Sequence, residues 1–543
     1  MKATFFLLLL FINFNLLAQD ILESSNLPIL VISTDNGQSI LDEPKIDAHL
    51  GVIWNGDNEV NNLTDAFNNY DGKIGIEKRG SSSQAFFPKV GYAMETRNAD
   101  NSNNNISLLG LPAENDWVLH GPYSDKSLMR NALAYILAGR IMDYAPRVRF
   151  CEVVLNDDYR GVYILTEKIK RDKNRVDIST LNPDENSGDD LTGGYILKFD
   201  KFDGAGADGF LSQHPSTPGG EIKTTFQYHY PKFDEITPQQ ELYIQGYIKE
   251  LEQVLLSEEF ADSVDGYRKY LDIRSMMQFI FIQEIGRNVD GYRLSTFFYK
   301  DRNSINAQLK FGPIWDFNLA FGNVSYCTGP GIIGWAWDFN DFCPNDFWVV
   351  HFWWERIMED TAFTSEIKTY WNTLRQSQLS DQQINHLVDS LEQLLQVPAA
   401  RNFERWPVIG EPIWPNDFIG NNYQEEVDHV RNWIGDRLNW MDNNIHRLGP
   451  PTVDPAVFVQ PETLPNPFGK HGITFKYYCN DFEFVYFDLY NAQGQRVDKW
   501  IDNRNESGER IYEWNKDIPN GTYFYNMRFG RGEHASGIII KSQ

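Results

Sequence analysis

Two aspartates in short loops are the residues of this 543-residue chain best placed for chemistry. Asp290 lies in Asn288-Val289-Asp290-Gly291, a Gly-containing loop between an apolar helical stretch and a short strand at 296–300. Asp316 lies in Trp315-Asp316-Phe317-Asn318, directly after the next strand at 309–313. Two short strands joined by a turn carry their outer ends side by side, so the two carboxylates should meet. Phosphoryl transfer uses such a pair. One carboxylate orients or deprotonates the acceptor hydroxyl, and the other holds magnesium against the phosphate oxygens. Asn318 offers a further oxygen ligand. Capping of turns is the plainer role open to both aspartates. Far upstream, Gly80-Ser81-Ser82-Ser83 exposes backbone N–H groups without bulky side chains, as an anion nest requires. Lys89 follows at the start of a second strand, and a hairpin of that size brings its ammonium back towards the turn.

The elements that must position these groups follow from periodicity. Residues 75–84 followed by 86–95 read as strand, small-residue turn, strand, with Lys89 at the start of the second strand. Residues 127–142 have apolar side chains at 128, 129, 133, 136, 137 and 141, a helical period, with Ser124 or Asp125 as the cap. A hairpin, 149–155 with 161–166, turns at 156–160, and 194–200 is a further strand. Helical patterning then dominates at 238–257, 273–284, 346–374, 380–396 and 422–447. The class is α+β.

Composition narrows the function. The formal charge is −26, from 49 basic and 75 acidic residues, which argues against sequence-independent nucleic-acid binding. The acidity is uneven: residues 73–175 carry a net +4 and residues 176–454 a net −21. Residues 1–18 have a Lys, an apolar core and Ala18 before polar residues, the pattern of a cleavable secretory signal peptide. No transmembrane segment is expected in the mature chain. Cys327 and Cys343 flank a Gly- and Trp-rich stretch and are candidates to pair; no zinc-type spacing accompanies them. Asp200–Asp208 faintly suggests a calcium loop, but Leu211 stands where the twelfth-position acid belongs, so a solvated turn is the better reading. The Trp-rich 333–354 reads as lid packing or core ahead of a sugar platform.

Several longer motifs, in order, carry a resemblance. They are Arg79-Gly80-Ser81-Ser82-Ser83 with Pro88-Lys89, Leu109–Leu119, Leu128-Met129-Arg130-Asn131, Gly161-Val162-Tyr163 with Glu167-Lys168-Ile169, Asn288-Val289-Asp290, and Trp315-Asp316-Phe317-Asn318 with Phe321-Gly322. Together they resemble the CotH kinase family, the spore-coat protein H type of atypical secreted protein kinase, over roughly 75–325 with helical continuation to 447. The resemblance implies an atypical protein-kinase-like two-lobed body (N-lobe about 73–200, C-lobe about 201–450). It also implies phosphorylation of Ser or Thr on a protein acceptor, with ATP and Mg2+ or Mn2+ as cofactors. It places Gly80, Ser81, Ser82 and Ser83 at the phosphate loop, Lys89 on the phosphates, and Glu167 at the adenine-side hinge. Asp290 takes the catalytic place and Asp316 the metal-binding one.

Two positions depart from that pattern. Ser295 stands where many kinases have a second metal-binding Asn, and the helix at 127–142 has no Glu to pair with Lys89, which leaves Glu95 or Glu114. Arg130 and Asn131 read as packing or helix-start residues. After a Pro-rich linker at 451–464, residues 465–543 show short alternating segments that predict a small β-sandwich. The landmarks Pro465-Asn466-Pro467-Phe468, Tyr490–Gln495, Asn520-Gly521-Thr522-Tyr523-Phe524 and Gly537–Lys541 resemble a type IX secretion sorting domain. That resemblance implies the type IX machinery as a partner and a secreted, outer-surface location after Sec export. A non-catalytic surface adhesin or matrix protein on the same body is the second reading, and polysaccharide binding by the Trp-rich stretch a third.

Overall fold

The computed structural model describes residues 22–202, 208–217, 219–449, 461–479, 485–502, 504, 508–529 and 534–542. The signal-peptide segment, most of the linker and the middle of the 200–208 loop lie outside the described residues.

Seven strands form a closed barrel: β1 (Ile29–Thr34), β2 (Ile46–Ile53), β3 (Tyr70–Arg79), β4 (Gly91–Thr96), β5 (Asp116–His120), β6 (Val148–Leu155) and β7 (Asp158–Glu167). Their order is β1-β2-β3-β4-β5-β7-β6. Every pairing is antiparallel except the last, where Ile29–Ile32 runs parallel to Glu152–Leu155 and closes the ring. Alternation puts Leu30, Ile32, Leu50, Val52, Ile74, Ile76, Met94, Trp117, Leu119, Val153 and Leu165 into one buried cluster. This differs from the expected N-lobe at 73–200. Two earlier strands belong to the barrel, because alternation marks a strand without marking a partner more than a hundred residues away. The Gly/Ser turn and a one-turn helix, α1 (Ser82–Phe86), join β3 to β4.

A second, fully antiparallel sheet has the order β9-β10-β8-β11-β12. Its strands are β8 (Tyr195–Phe199), β9 (Gly209–Leu211), β10 (Thr225–Tyr230), β11 (Thr296–Lys300) and β12 (Leu309–Ile314). The strand expected at 194–200 therefore pairs away from the barrel. Around this sheet pack α2 (Arg130–Gly139), α3 (Pro238–Leu255), α4 (Ile273–Gly286), α5 (Thr361–Arg375), α6 (Asp381–Arg405) and α7 (Tyr423–Asn444), which share the largest apolar core. Helix α2 is shorter than the expected 127–142. Asp125 holds its entry, accepting the Arg130 N–H at 2.9 Å and the Arg130 guanidinium at 2.6 Å.

Helix α6 clasps the barrel. Arg401 pairs with Glu152, Arg405 with Asp158, and the Trp406 indole donates to Arg160 O at 2.9 Å. Asn402 Oδ1 accepts from Val162 N, so close that a Cβ on Gly161 would sit 2.5 Å from it.

Inside the helical half, Glu284 of α4 and Arg437 of α7 form a fully buried pair at 2.9 Å. Glu284 also accepts from Tyr292 Oη and from the N–H groups of Ala336 and Trp337. Arg437 donates to Glu284 O, Ile332 O and Gly334 O. Burial pushes the Glu284 carboxyl up and pulls Arg437 down to about 9. The pair is thus costly to desolvate, and its neighbours repay that cost through hydrogen bonds.

Residues 462–541 form two antiparallel sheets. Strands β13 (Glu462–Leu464), β14 (Ile473–Cys479) and β17 (Gly508–Trp514) have the order β13-β14-β17. Strands β15 (Val485–Asn491), β16 (Arg496–Asp502), β18 (Gly521–Phe529) and β19 (His534–Lys541) have the order β16-β15-β18-β19. Phe468, Phe475, Phe487, Trp514, Tyr525 and Met527 are among the side chains of the one apolar cluster that both sheets supply.

Arg437→Met should cost about 3–5 kcal/mol, because it leaves Glu284 buried and unpaired. Denaturant unfolding will show it as a lower midpoint with an unchanged slope.

Candidate functional site

Strand registry builds the site. Phe199 of β8 pairs with Thr296 of β11, and Thr296 pairs with Ile314 of β12. Asp200, Ser295 and Trp315-Asp316 therefore leave the sheet at one and the same end. The loop carrying Asp290 enters at that end too. Asp290 and Asp316 thus lie at one sheet end, close enough for the Asp290 charge to act on the Asp316 carboxyl, and Asp200, expected in a solvated turn, acts on it too. The usable signal is position: Asp200 directly follows one strand, and Asp316 comes two residues after the end of another.

Local bonds fix each carboxylate. Asp316 has a left-handed backbone (φ 61°), and its N–H donates to Tyr135 Oη at 3.1 Å. The next N–H, of Phe317, donates to Asn131 Oδ1 at 2.6 Å, and the Asn131 amide meets His120 Nε2 at 3.1 Å. Burial lowers His120 to about 4, so its ring is neutral and accepts from the Asn131 amide. Asn131 thus holds the Asp316 loop in place, a role beyond the packing or helix-start bonds expected of it. Asp290 accepts from Arg293 at 3.1 Å, and Arg293 also bonds Asp346 and Trp348 O. Lys198 Nζ reaches Asp200 Oδ2 at 3.3 Å, and Gln227 Nε2 donates to Asp200 O at 2.6 Å.

The electrostatics single out Asp316. Burial, followed by the charges of Asp290 and Asp200, pushes its carboxyl up to about 7; Lys201 and Arg79 pull the other way. A carboxyl raised by burial and by two neighbouring carboxylates suits a divalent cation. Magnesium characteristically takes one or two carboxylates and completes its shell with water and phosphate oxygens. The aspartates offer that open arrangement. Among the described residues, the only three His, Cys, Asp or Glu ligand atoms lying within 4.8 Å of one another belong to Cys327, Cys343 and Asp346. Those two sulfurs are bonded to each other. Asn318 follows Asp316 by two residues, partly exposed, with its carbonyl bonded to Asn323. Ser295 is buried with φ 47°, at the start of β11.

The Gly/Ser turn faces this group from the barrel. Lys201 Nζ donates to Ser82 Oγ at 3.3 Å, and the Lys201 N–H donates to Asp200 Oδ1 at 2.9 Å. Gly80 has φ +113°, and a Cβ there would meet Ser83 Oγ at 2.1 Å, so the turn requires glycine. Ser81 is exposed, and Gln84 closes the turn onto Gly80 O.

Two expected nucleotide contacts lie elsewhere. Lys89 does not return to the turn; it is 1% exposed, inside the seam between barrel and α6. Glu167 is buried at the end of β7, where it accepts both the Arg147 N–H at 3.0 Å and the Arg147 guanidinium at 2.8 Å. Glu95 and Glu114, the alternatives weighed as partners of Lys89, pair with Lys45 and Arg97, and with Lys170 and Arg175.

The disulfide Cys327–Cys343 ties the loop after Asp316 to the loop carrying Asp346. Arg287 clamps the same turn through Thr328 and Gly331 O.

A family model described as CotH kinase protein matches residues 76–441. No curated protein matches the chain.

For Asp316 the folded value of about 7 lies above the ordinary 3.8, so its contribution to stability is full at low pH and is lost as pH rises through 7. Thermal melts in EDTA should fall between pH 6 and pH 8 less steeply for Asp316→Asn than for wild type, and Mg2+ should restore stability at pH 8 only in wild type. Cys327→Ser/Cys343→Ser should lose about 2–3 kcal/mol, the entropy of a loop of this length. Limited proteolysis should then cut within 328–346.

Proposed function

Since the chain belongs to the CotH kinase protein family, we propose that it transfers the γ-phosphoryl group of ATP to a Ser or Thr hydroxyl of a protein acceptor. The convergence of Asp200, Asp290 and Asp316 at one sheet end, opposite the Gly/Ser turn, is the observation that carries this reading. Asp290 is the group to orient the acceptor hydroxyl and receive its proton; the Arg293 bond fixes its direction. Asp316, with Asp200 and Asn318 beside it, is the holder of Mg2+ or Mn2+, which neutralises phosphate oxygens when bound. Ser295 can add a weaker hydroxyl ligand. Gly80–Ser83 presents backbone N–H groups to the phosphates.

The leader-like segment 1–18 and the tail at 465–543 support export through the type IX route to the outer surface. Among the described residues no helix is long and apolar enough to cross a membrane. The second reading is a non-catalytic surface or matrix protein on the same body. Ser295 in place of Asn and the burial of Lys89 favour it.

With labelled ATP and Mg2+ or Mn2+, Asp290→Ala should lower phosphate incorporation about 100-fold or more, the loss of a positioned general base. Asp316→Ala should abolish metal-dependent incorporation. Incorporation that is equal in wild type and both variants would refute the enzyme reading.

A further inference from the structure

Three aromatic rings form a row from the Gly/Ser turn to the carboxylates, and two of them face solvent. Phe86 ends the short helix that Ser82 begins, and it is 61% exposed. Trp414, in the loop between α6 and α7, is 54% exposed. Their ring centroids are 5.2 Å apart. Trp414 also lies parallel to Tyr326, with centroids 6.3 Å apart and ring planes within 7°. Tyr326 belongs to the loop after Asp316 and is half-buried against the core of the helical half. Burial pushes its phenol up, and the Asp290 charge adds to this, so the hydroxyl lies within the field of that carboxylate.

The row is fastened at several points. Asn416, two residues past Trp414, donates to Ser124 O and to Asn323 Oδ1, both at 2.7 Å. Asn323 donates in turn to Asn318 O at 2.8 Å. The Trp414 loop is thus bonded to the loop that carries Asp316 and Asn318. Beside Tyr326, Cys327 is tied to Cys343. At the other end, Lys201 Nζ reaches Ser82 Oγ at 3.3 Å and Gln84 closes onto Gly80 O.

Internal packing does not account for Phe86 and Trp414. Rings left more than half exposed bury little apolar area within the chain, and exposed aromatic surface held in one place is characteristic of binding sites. Position indicates the occupant. A hydroxyl presented to Asp290 belongs to a chain that passes Tyr326. An extended chain advances about 3.3–3.6 Å per residue and turns alternate side chains to the same face. Side chains two residues apart are then about 7 Å apart, close to the 6.3 Å between the Tyr326 and Trp414 rings.

We propose that Tyr326, Trp414 and Phe86 select the acceptor, taking an extended segment that has a large apolar or aromatic side chain within about four residues of its Ser or Thr. The proposal rests on the phosphotransfer reading, which brings the acceptor hydroxyl to Asp290. Tyr326 lies along the chain next to the reacting residue. Trp414 and Phe86 receive the flanking side chain, an aromatic one in offset or edge-to-face contact.

The test uses the full chain, labelled ATP with Mg2+, and mixtures of peptides with a central Ser or Thr. Each mixture fixes one residue type at one position within about four residues of the acceptor. At one position Trp, Tyr, Phe, Leu and Met should be favoured over Gly and Asp about 10-fold, the effect of burying one aromatic anchor. Trp414→Ala and Phe86→Ala should each remove most of that preference, through a higher KM for the favoured peptide and an unchanged KM for its Gly counterpart. Both should melt near wild type, since neither side chain is buried, and Trp414→Phe should keep the preference. Equal use of all mixtures by the wild type would overturn the proposal, as would a preference retained in Phe86→Ala/Trp414→Ala. A raised KM for ATP in these variants, with the peptide preference intact, would assign the rings to the nucleobase and overturn it as well. Should no mixture be phosphorylated, fluorescence anisotropy of the labelled Phe and Gly mixtures decides. Phe peptides that bind the wild type and not Trp414→Ala uphold the recognition and remove the activity alone. Peptides that neither bind nor accept phosphate sink both readings.

Discussion

Glu284 places a carboxylate in the interior of the helical half, where a charge is tolerable only if every lone pair is answered. The answers come from four directions: Arg437 on α7, Tyr292 two residues past Asp290, and the N–H groups of Ala336 and Trp337. Arg437 in turn takes up Ile332 O and Gly334 O. One ion pair therefore fixes the loop that carries Asp290 and the Gly- and Trp-rich segment beyond Asp316, and locks α4 against α7. Since breaking such a pair costs far more than forming it gains, it acts less as a source of stability than as a constraint on which arrangement of these loops exists.

The site has two supports of different origin. Asp200 and Asp316 follow strand ends of one antiparallel sheet, whose registry sets their spacing, and Asp290 lies on the loop that leads into the same end. The Gly/Ser turn belongs to the barrel, and the two are joined through α2 and α6, through one apolar core that includes Val148, Phe150, Val162 and Ile164, and through the Lys201–Ser82 bond. Helix α2 reaches the Asp316 loop through Asn131 and Tyr135, while α6 grips β6 and β7 through Arg401, Asn402 and Arg405.

What the sequence made legible were features local in the chain. Asp290 and Asp316 were readable as partners because β11 and β12 are a hairpin, and hairpin ends are adjacent by construction. Helical periodicity at 238–257 and 273–284 corresponds to the helices Pro238–Leu255 and Ile273–Gly286. Asp200 was not readable, because its proximity comes from β8 pairing with β11, a strand about a hundred residues away. Lys89 misled for a related reason. Its spacing from Gly80 fits a hairpin that returns to the turn, yet its side chain is fixed by Asn402, 313 residues later. Barrel closure through a parallel pairing of Ile29–Ile32 with Glu152–Leu155 leaves no mark in local alternation either. Hydrophobic pattern specifies which residues are inside, and leaves open which distant element they are inside with.

The Cys327–Cys343 bridge gives the chain a sense of place. A disulfide does not persist among the thiols of a reducing cytosol, so in a reduced chain the stretch between Tyr326 and Asp346 loses its covalent tie and is held by Arg287, Arg437 and Glu284 through hydrogen bonds alone. Only in an oxidising compartment is it drawn closed. The segment that carries Asp346, the partner of Arg293, is therefore fully fastened only where the bridge can form, and a reduced chain has the same hydrogen bonds with a longer free loop.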